Sequence, residues 1–95
     1  MKKNHKPPTV IKIDVEGAEL EVLQGGENFL RNYSPIISLE IWGKDNNGEL
    51  SMKAVNFLRN LNYKSYYVNE NGELEERNGD LSLGIIGFDN FIFKK

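Results

Sequence analysis

From Thr9 onward the chain alternates short apolar runs with amphipathic stretches. Residues 9–15, TVIKIDV, are rich in β-branched side chains, with Ile11, Ile13 and Val15 on one face and Val10, Lys12 and Asp14 on the other. Both faces are largely apolar, which predicts a parallel strand covered on two sides. Residues 17–31 switch to a helical period. Ala18, Val22, Leu23, Gly26, Phe29 and Leu30 share one arc of that helix, and Glu19 falls inside it. Gly25-Gly26 predicts a break or bend, or a helix lying close to the sheet. Pro35 opens a second, almost wholly apolar strand, Ile36 to Trp42. After a polar loop over residues 43–49, Ser51 suits the N-cap of a helix running to Leu61. Its buried stripe is Leu50, Ala54, Phe57, Leu58 and Leu61, and its wet face Lys53, Asn56, Arg59 and Asn60. Asn62 suits the left-handed residue past a helix end. Tyr63 to Asn69 reads as a third strand, Asn71-Gly72 as a two-residue hairpin turn, and residues 73–76 as the antiparallel return. A glycine-punctuated loop, 77–87, leads to a last aromatic strand, Asp89 to Lys94. The order of elements predicts an α/β sheet, parallel first and with an antiparallel edge at the end. Residues 1–8, ending in Pro7-Pro8, read as a flexible lead-in to one small domain over 9–95.

Composition narrows the function. Ninety-five residues make one small domain. The net charge is -2 and the 12 Lys and Arg are scattered apart from short clusters at the two ends, so a nucleic-acid partner is not expected. The absence of cysteine excludes a disulfide framework and a zinc-thiolate site and suits a cytoplasmic location. The basic start, Met1 to Lys6, is followed by Pro7-Pro8 instead of an apolar run, which argues against a signal peptide. No segment approaches the roughly 20 apolar residues of a membrane helix.

Candidate chemistry gathers around Ile11 to Glu19, IKIDVEGAE. If the first two strands are parallel neighbours, Asp14 and Glu40 sit near their carboxyl ends. Glu16 lies in the turn after the first strand, and Glu19 one helical turn on, leaning back toward the helix start. These four acids then converge on the sheet edge where open α/β folds bind ligands, beside the positive end of a helix dipole. Three uses are open: a general base for a hydroxyl, oxygen ligands for a hard cation, or hydrogen bonds to a ligand's hydroxyls or amine. The plainer reading has Glu16 and Glu19 completing a helix start. Glu19 and Glu40 each stand in apolar surroundings, where an acid needs a partner or a shifted pKa. Trp42 shares a face with Glu40 and is a core or rim residue against which a ligand could lie. His5, the single histidine, falls in the lead-in. Gly79, Gly84 and Gly87 precede no helix and make no phosphate loop. Tyr63, Tyr66 and Tyr67 are sheet residues, and nucleophilic triads are absent.

IKIDVEGAELEVLQGG, the strand PIISLEIW, the AVNFLRNLNYKSYYV helix-strand unit and the closing FDNFIFKK together resemble the second half of the FkbM family of S-adenosylmethionine-dependent methyltransferases, over residues 9–95. The resemblance implies part of a Rossmann-like methyltransferase sheet, with strands equivalent to 4-5-7-6 and helices packed on it. The last strand is then antiparallel between its two neighbours. It implies O-methyl transfer to a hydroxyl-bearing small molecule. Asp14 and Glu16 are carried over as active-site residues and Glu40 joins them at the rim, with Glu19 and Trp42 supporting and no metal. The family's glycine-rich cofactor loop and ribose-holding acid belong to its first three strands, which have no counterpart here. The expectation is therefore a truncated or split enzyme, inactive alone, with S-adenosylmethionine bound only in company. The Thr9–Val15 strand becomes an open edge for self-association or for a complementary N-terminal fragment. The competing expectation is a non-enzymatic interaction module using that edge.

Overall fold

The computed structural model describes residues 9–14, 17–44 and 48–95, so the lead-in expected over residues 1–8 lies outside the described residues. Along the chain run β1 (Val10–Ile13), α1 (Glu19–Gly25), α2 (Glu27–Tyr33), β2 (Ile36–Trp42), α3 (Gly48–Asn60), β3 (Lys64–Val68), β4 (Leu74–Glu76) and β5 (Phe88–Lys94). The strands form one mixed sheet in the order β1-β2-β5-β3-β4. β1 and β2 are parallel, and β5 is antiparallel to both β2 and β3. The last strand is thus interior, and the far edge belongs to the β4 hairpin. Among the described residues, no helix is long and apolar enough to cross a membrane.

The core lies on one face of the sheet. Ile13, Ile37, Leu39, Ile41, Phe91 and Phe93 share that face and are buried together with Leu23 and Leu30 of the first two helices and Ala54, Val55 and Leu58 of α3. On the opposite, bare face β2 presents Ile36, Ser38, Glu40 and Trp42, all half-buried. Val10, with 62 % of its surface exposed, lies on that face too. This corrects the expectation that the first strand is covered on two sides: one helical layer is present among the described residues.

The first helix breaks at Gly26, whose N–H reaches both Val22 O (3.1 Å) and Leu23 O (3.2 Å). A Cβ at Gly25 would meet open space, so the glycines serve the bend and not a close approach to the sheet. The buried side of α1 and α2 is Glu19, Leu23 and Leu30, while Val22 (47 %) and Phe29 (42 %) face outward. The apolar arc read from the sequence is therefore rotated. In α3 the buried positions are Gly48, Ser51, Ala54, Val55 and Leu58, and Leu50 is exposed. The helix starts before Ser51, which caps nothing; its Oγ instead accepts the Trp42 N–H at 3.0 Å. The far end of α3 behaves as expected. Asn62 is left-handed (φ 73°), and the Tyr63 N–H returns to Leu58 O at 3.0 Å. The Tyr63 hydroxyl donates to Pro35 O at 2.6 Å, tying the approach to β3 to the entry of β2.

The β3–β4 turn is one residue longer than the expected two-residue form. Gly72 N–H donates to Asn69 O and Asn69 N–H to Glu73 O, which leaves three loop residues with Gly72 left-handed (φ 79°). Asn69 Oδ1 accepts the N–H groups of Asn71 and Glu73, so the side chain before the turn organises it.

Candidate functional site

The parallel register ends at Ile13↔Leu39, and its extension by one residue sets Asp14 level with Glu40. Both lie on the bare face at the carboxyl ends of neighbouring strands, one interstrand spacing apart, about 4.8 Å between backbones. Asp14 is exposed. Glu40 is half-buried and held by an interaction of its own. Two residues further along β2 on the same face is Trp42, at the rim.

Glu19 occupies a different place. It stands in the first turn of α1, in the helical layer, with 3 % of its surface exposed, and its Oε2 has no hydrogen-bond partner. An unsatisfied buried carboxylate oxygen costs stability. Gly17 turns the chain from β1 into α1 with φ 77°, a conformation that suits glycine. Glu16 lies outside the described residues, so its part in the expected cluster is not observed. Among the described residues, no three His, Asp or Glu side chains form a group able to hold a metal ion.

Two features of the rim escaped the sequence reading. β5 brings Asn90 beside Glu40 and Phe88 beside Trp42. The Trp42 and Phe88 rings meet at 5.2 Å between centroids with a 48° tilt. The signal was in the aromatic FDNFIF run, but only the insertion of β5 next to β2 gives it a place.

The second feature is how the rim is held. The loop 77–87 grips the end of β2: Gly43 N–H donates to Gly87 O at 2.9 Å. A Cβ on Gly43 would collide with Ile85 O. One on Gly48 would come within 2.9 Å of Gly43 O and of Ser82 Cβ. At its other end the loop is pinned by Arg59, whose guanidinium donates to Gly79 O (2.8 Å) and Ser65 Oγ (3.0 Å). Burial lowers the Arg59 pKa from its ordinary value, with the Asp80 charge acting against that shift. Asp80 in turn accepts from the Ser82 hydroxyl and backbone N–H and pairs with Lys44 at 3.6 Å. These contacts, the Ser82 hydroxyl first, hold the Asp80 carboxyl below its ordinary pKa, while its partial burial opposes them.

The sequence model of the methyltransferase FkbM domain matches residues 1–65, which takes in β1, β2, the helices and the acids Asp14, Glu16, Glu19 and Glu40. Residues 66–95, with β4, β5 and the 77–87 loop, lie beyond the match. No curated protein matches the chain, and no solved structure does.

Proposed function

Because this chain belongs to the FkbM methyltransferase family, we propose that the carboxyl rim of β1 and β2 is the acceptor side of an S-adenosylmethionine-dependent O-methyltransferase site. The observation that carries this reading is the parallel register of β1 and β2, whose extension by one residue past Ile13↔Leu39 brings Asp14 level with Glu40. The strand order β1-β2-β5-β3, with β5 antiparallel inside it, supports equating these strands with the fourth, fifth, seventh and sixth of the Rossmann-like methyltransferase sheet. Asp14, exposed at the tip of β1, takes up the proton of the acceptor hydroxyl. Glu40 orients that hydroxyl from the neighbouring strand. Glu16 joins them by its place in the IDVEGAE run, and the buried Glu19 supports the turn that carries Asp14.

The described residues do not by themselves fit S-adenosylmethionine. The described turn after β1 has the single glycine Gly17 in place of a glycine-rich cradle, and α1 is only seven residues long. The cofactor belongs to residues outside those described or to a partner, and the role of this chain is the acceptor's. Such a partner has a place to dock. β1 is an edge strand in which the backbone groups of Val10 and Lys12 alternate away from β2, and it is open to a second copy or to a cofactor-binding chain. The same edge carries a second reading, in which partner binding is the whole function.

The test is methyl transfer by the full chain, together with a cofactor-binding partner where one is required. Asp14→Asn should lower kcat by about a hundredfold while the unfolding midpoint stays put. An unchanged kcat removes the reading.

A further inference from the structure

The loop 77–87 and the strands β3 and β5 enclose a cleft of about 320 Å³, near the lower end of the roughly 300–1,000 Å³ usual for small-ligand sites. Tyr67 and Phe91, paired across the two strands, line it, and their rings meet at 5.7 Å between centroids. Asp89 stands two residues along β5 from the buried Phe91, hence on the same, covered face. Leu81 and Ile85 of the loop add aliphatic surface. Asp14 and Glu40 belong to the opposite face, so this cleft is a separate place. Three charged side chains line it, Arg77, Asp80 and Asp89. Two of them are already answered. Arg77 pairs with Glu75 at 3.0 Å and lies over the Tyr67 ring, 4.8 Å from its centre. Asp80 pairs with Lys44 at 3.6 Å and accepts the Ser82 N–H. Asp89 enters no ion pair among the described residues, and its Oδ1 accepts the N–H of the adjacent Asn90 at 2.9 Å. The cleft therefore carries one unanswered negative charge beside two rings and an aliphatic wall. A carboxylate is repelled there, and a neutral molecule leaves the charge unanswered. An ammonium gains a charge-assisted hydrogen bond and the pull of the ring faces.

We propose that this cleft is a second ligand site, selective for a small primary alkylammonium ion. Asp89 takes the ammonium beside the Tyr67–Phe91 ring pair, and Leu81 and Ile85 hold the alkyl chain. Arg77, a like charge in the same cleft, limits the affinity. The site does not depend on the acceptor reading above. Every residue that lines it lies past position 65, beyond the family match, so it is a property of this chain.

Pentylamine, titrated into the full chain near neutral pH and followed by amide NMR, should shift Tyr67, Asp89 and Phe91 saturably, with a Kd of about 1 mM. Pentanol and pentanoate, of the same length but uncharged and negative, should bind at least tenfold more weakly. Asp89→Asn keeps an oxygen for the Asn90 N–H and should weaken pentylamine binding about tenfold, with circular dichroism unchanged. Arg77→Gln should do the reverse and tighten binding about threefold, since a like charge leaves the cleft. A structural role for either residue predicts no such gain, and if Asp89→Asn fails to fold, the direction of the Arg77→Gln effect decides. Shifts that never saturate, equal affinity for pentanol, or wild-type affinity in both variants overturn the site. So do shifts confined to the surroundings of Asp14 and Glu40, which would place the amine on the bare-face acids instead. The two readings fail separately, because pentylamine binding is measured without methyl transfer and Asp14→Asn leaves the cleft intact.

Discussion

The two faces of the sheet are built from the same strands and are almost opposite in kind. On the covered face Ile37, Leu39, Ile41 and Phe93 have no exposed surface, and three helices press on them. On the bare face Glu40, Trp42, Phe88 and Asn90 stand half in water, with the candidate chemistry among them. The alternation of β2 shows the division: buried and half-buried residues change places at every step. One face holds the fold and the other is free to do something else. Of the acids among the described residues, Asp14 and Glu40 lie on the bare face and Glu19 in the helical layer.

Substitutions can press on that contrast. The largest effect is expected at Phe93→Ala on the covered face, about 3–5 kcal/mol in urea unfolding. Val10→Ser on the bare face should stay within about 0.5 kcal/mol. Similar costs for both would mean the bare face is covered in solution. Gly43→Ala should come next, about 1–3 kcal/mol, because its Cβ meets the Ile85 carbonyl. Amide exchange should then quicken over residues 83–87, and protection unchanged there would refute the docking of the loop. Glu19→Gln should raise stability by about 1 kcal/mol, since a buried carboxylate oxygen without a hydrogen-bond partner is removed. The same change should lower methyl transfer if Glu19 supports the site, so a destabilised Glu19→Gln would show that the carboxylate has a stabilising partner. The smallest effect is on pH dependence. Asp80 has a folded pKa below its ordinary 3.8, so its contribution to stability is present above that value and fades as the pH falls below it. Ser82→Ala should flatten that acid limb, and an identical acid limb in the variant would remove Asp80 as its cause.

Much of this was legible along the chain. Ile36 to Trp42 is nearly continuous in its apolar character, and its boundaries follow from Pro35 and Gly43 without ambiguity. Two apolar strands joined by a helical crossover pair in parallel, which brings the carboxyl ends carrying Asp14 and Glu40 to one edge. What periodicity could not reveal was which apolar residues find cover. Val22 and Phe29 share an arc with Glu19, Leu23 and Leu30, yet of these five only Glu19, Leu23 and Leu30 are buried. Val10 looked like half of a two-sided core because strand composition records apolarity and not the number of helical layers. Ser51 suited a cap by residue type, but the helix begins three residues earlier and its hydroxyl serves the backbone of Trp42. The partnership of Trp42 with Phe88 depends on a strand that returns from 46 positions away, and no local pattern encodes such a distance.

The break at Gly26 bears on how the chain assembles. Each half of that crossover is a seven-residue helix, shorter than any that persists alone in water. The crossover therefore gains its shape only as Leu23 and Leu30 meet the interior. β1, which reaches the sheet through it and touches one strand, should be the last element to join and the first to let go. Its four amides would then exchange with solvent well ahead of those in β2 and β5, so the edge that greets a partner would also be the least committed piece of the molecule.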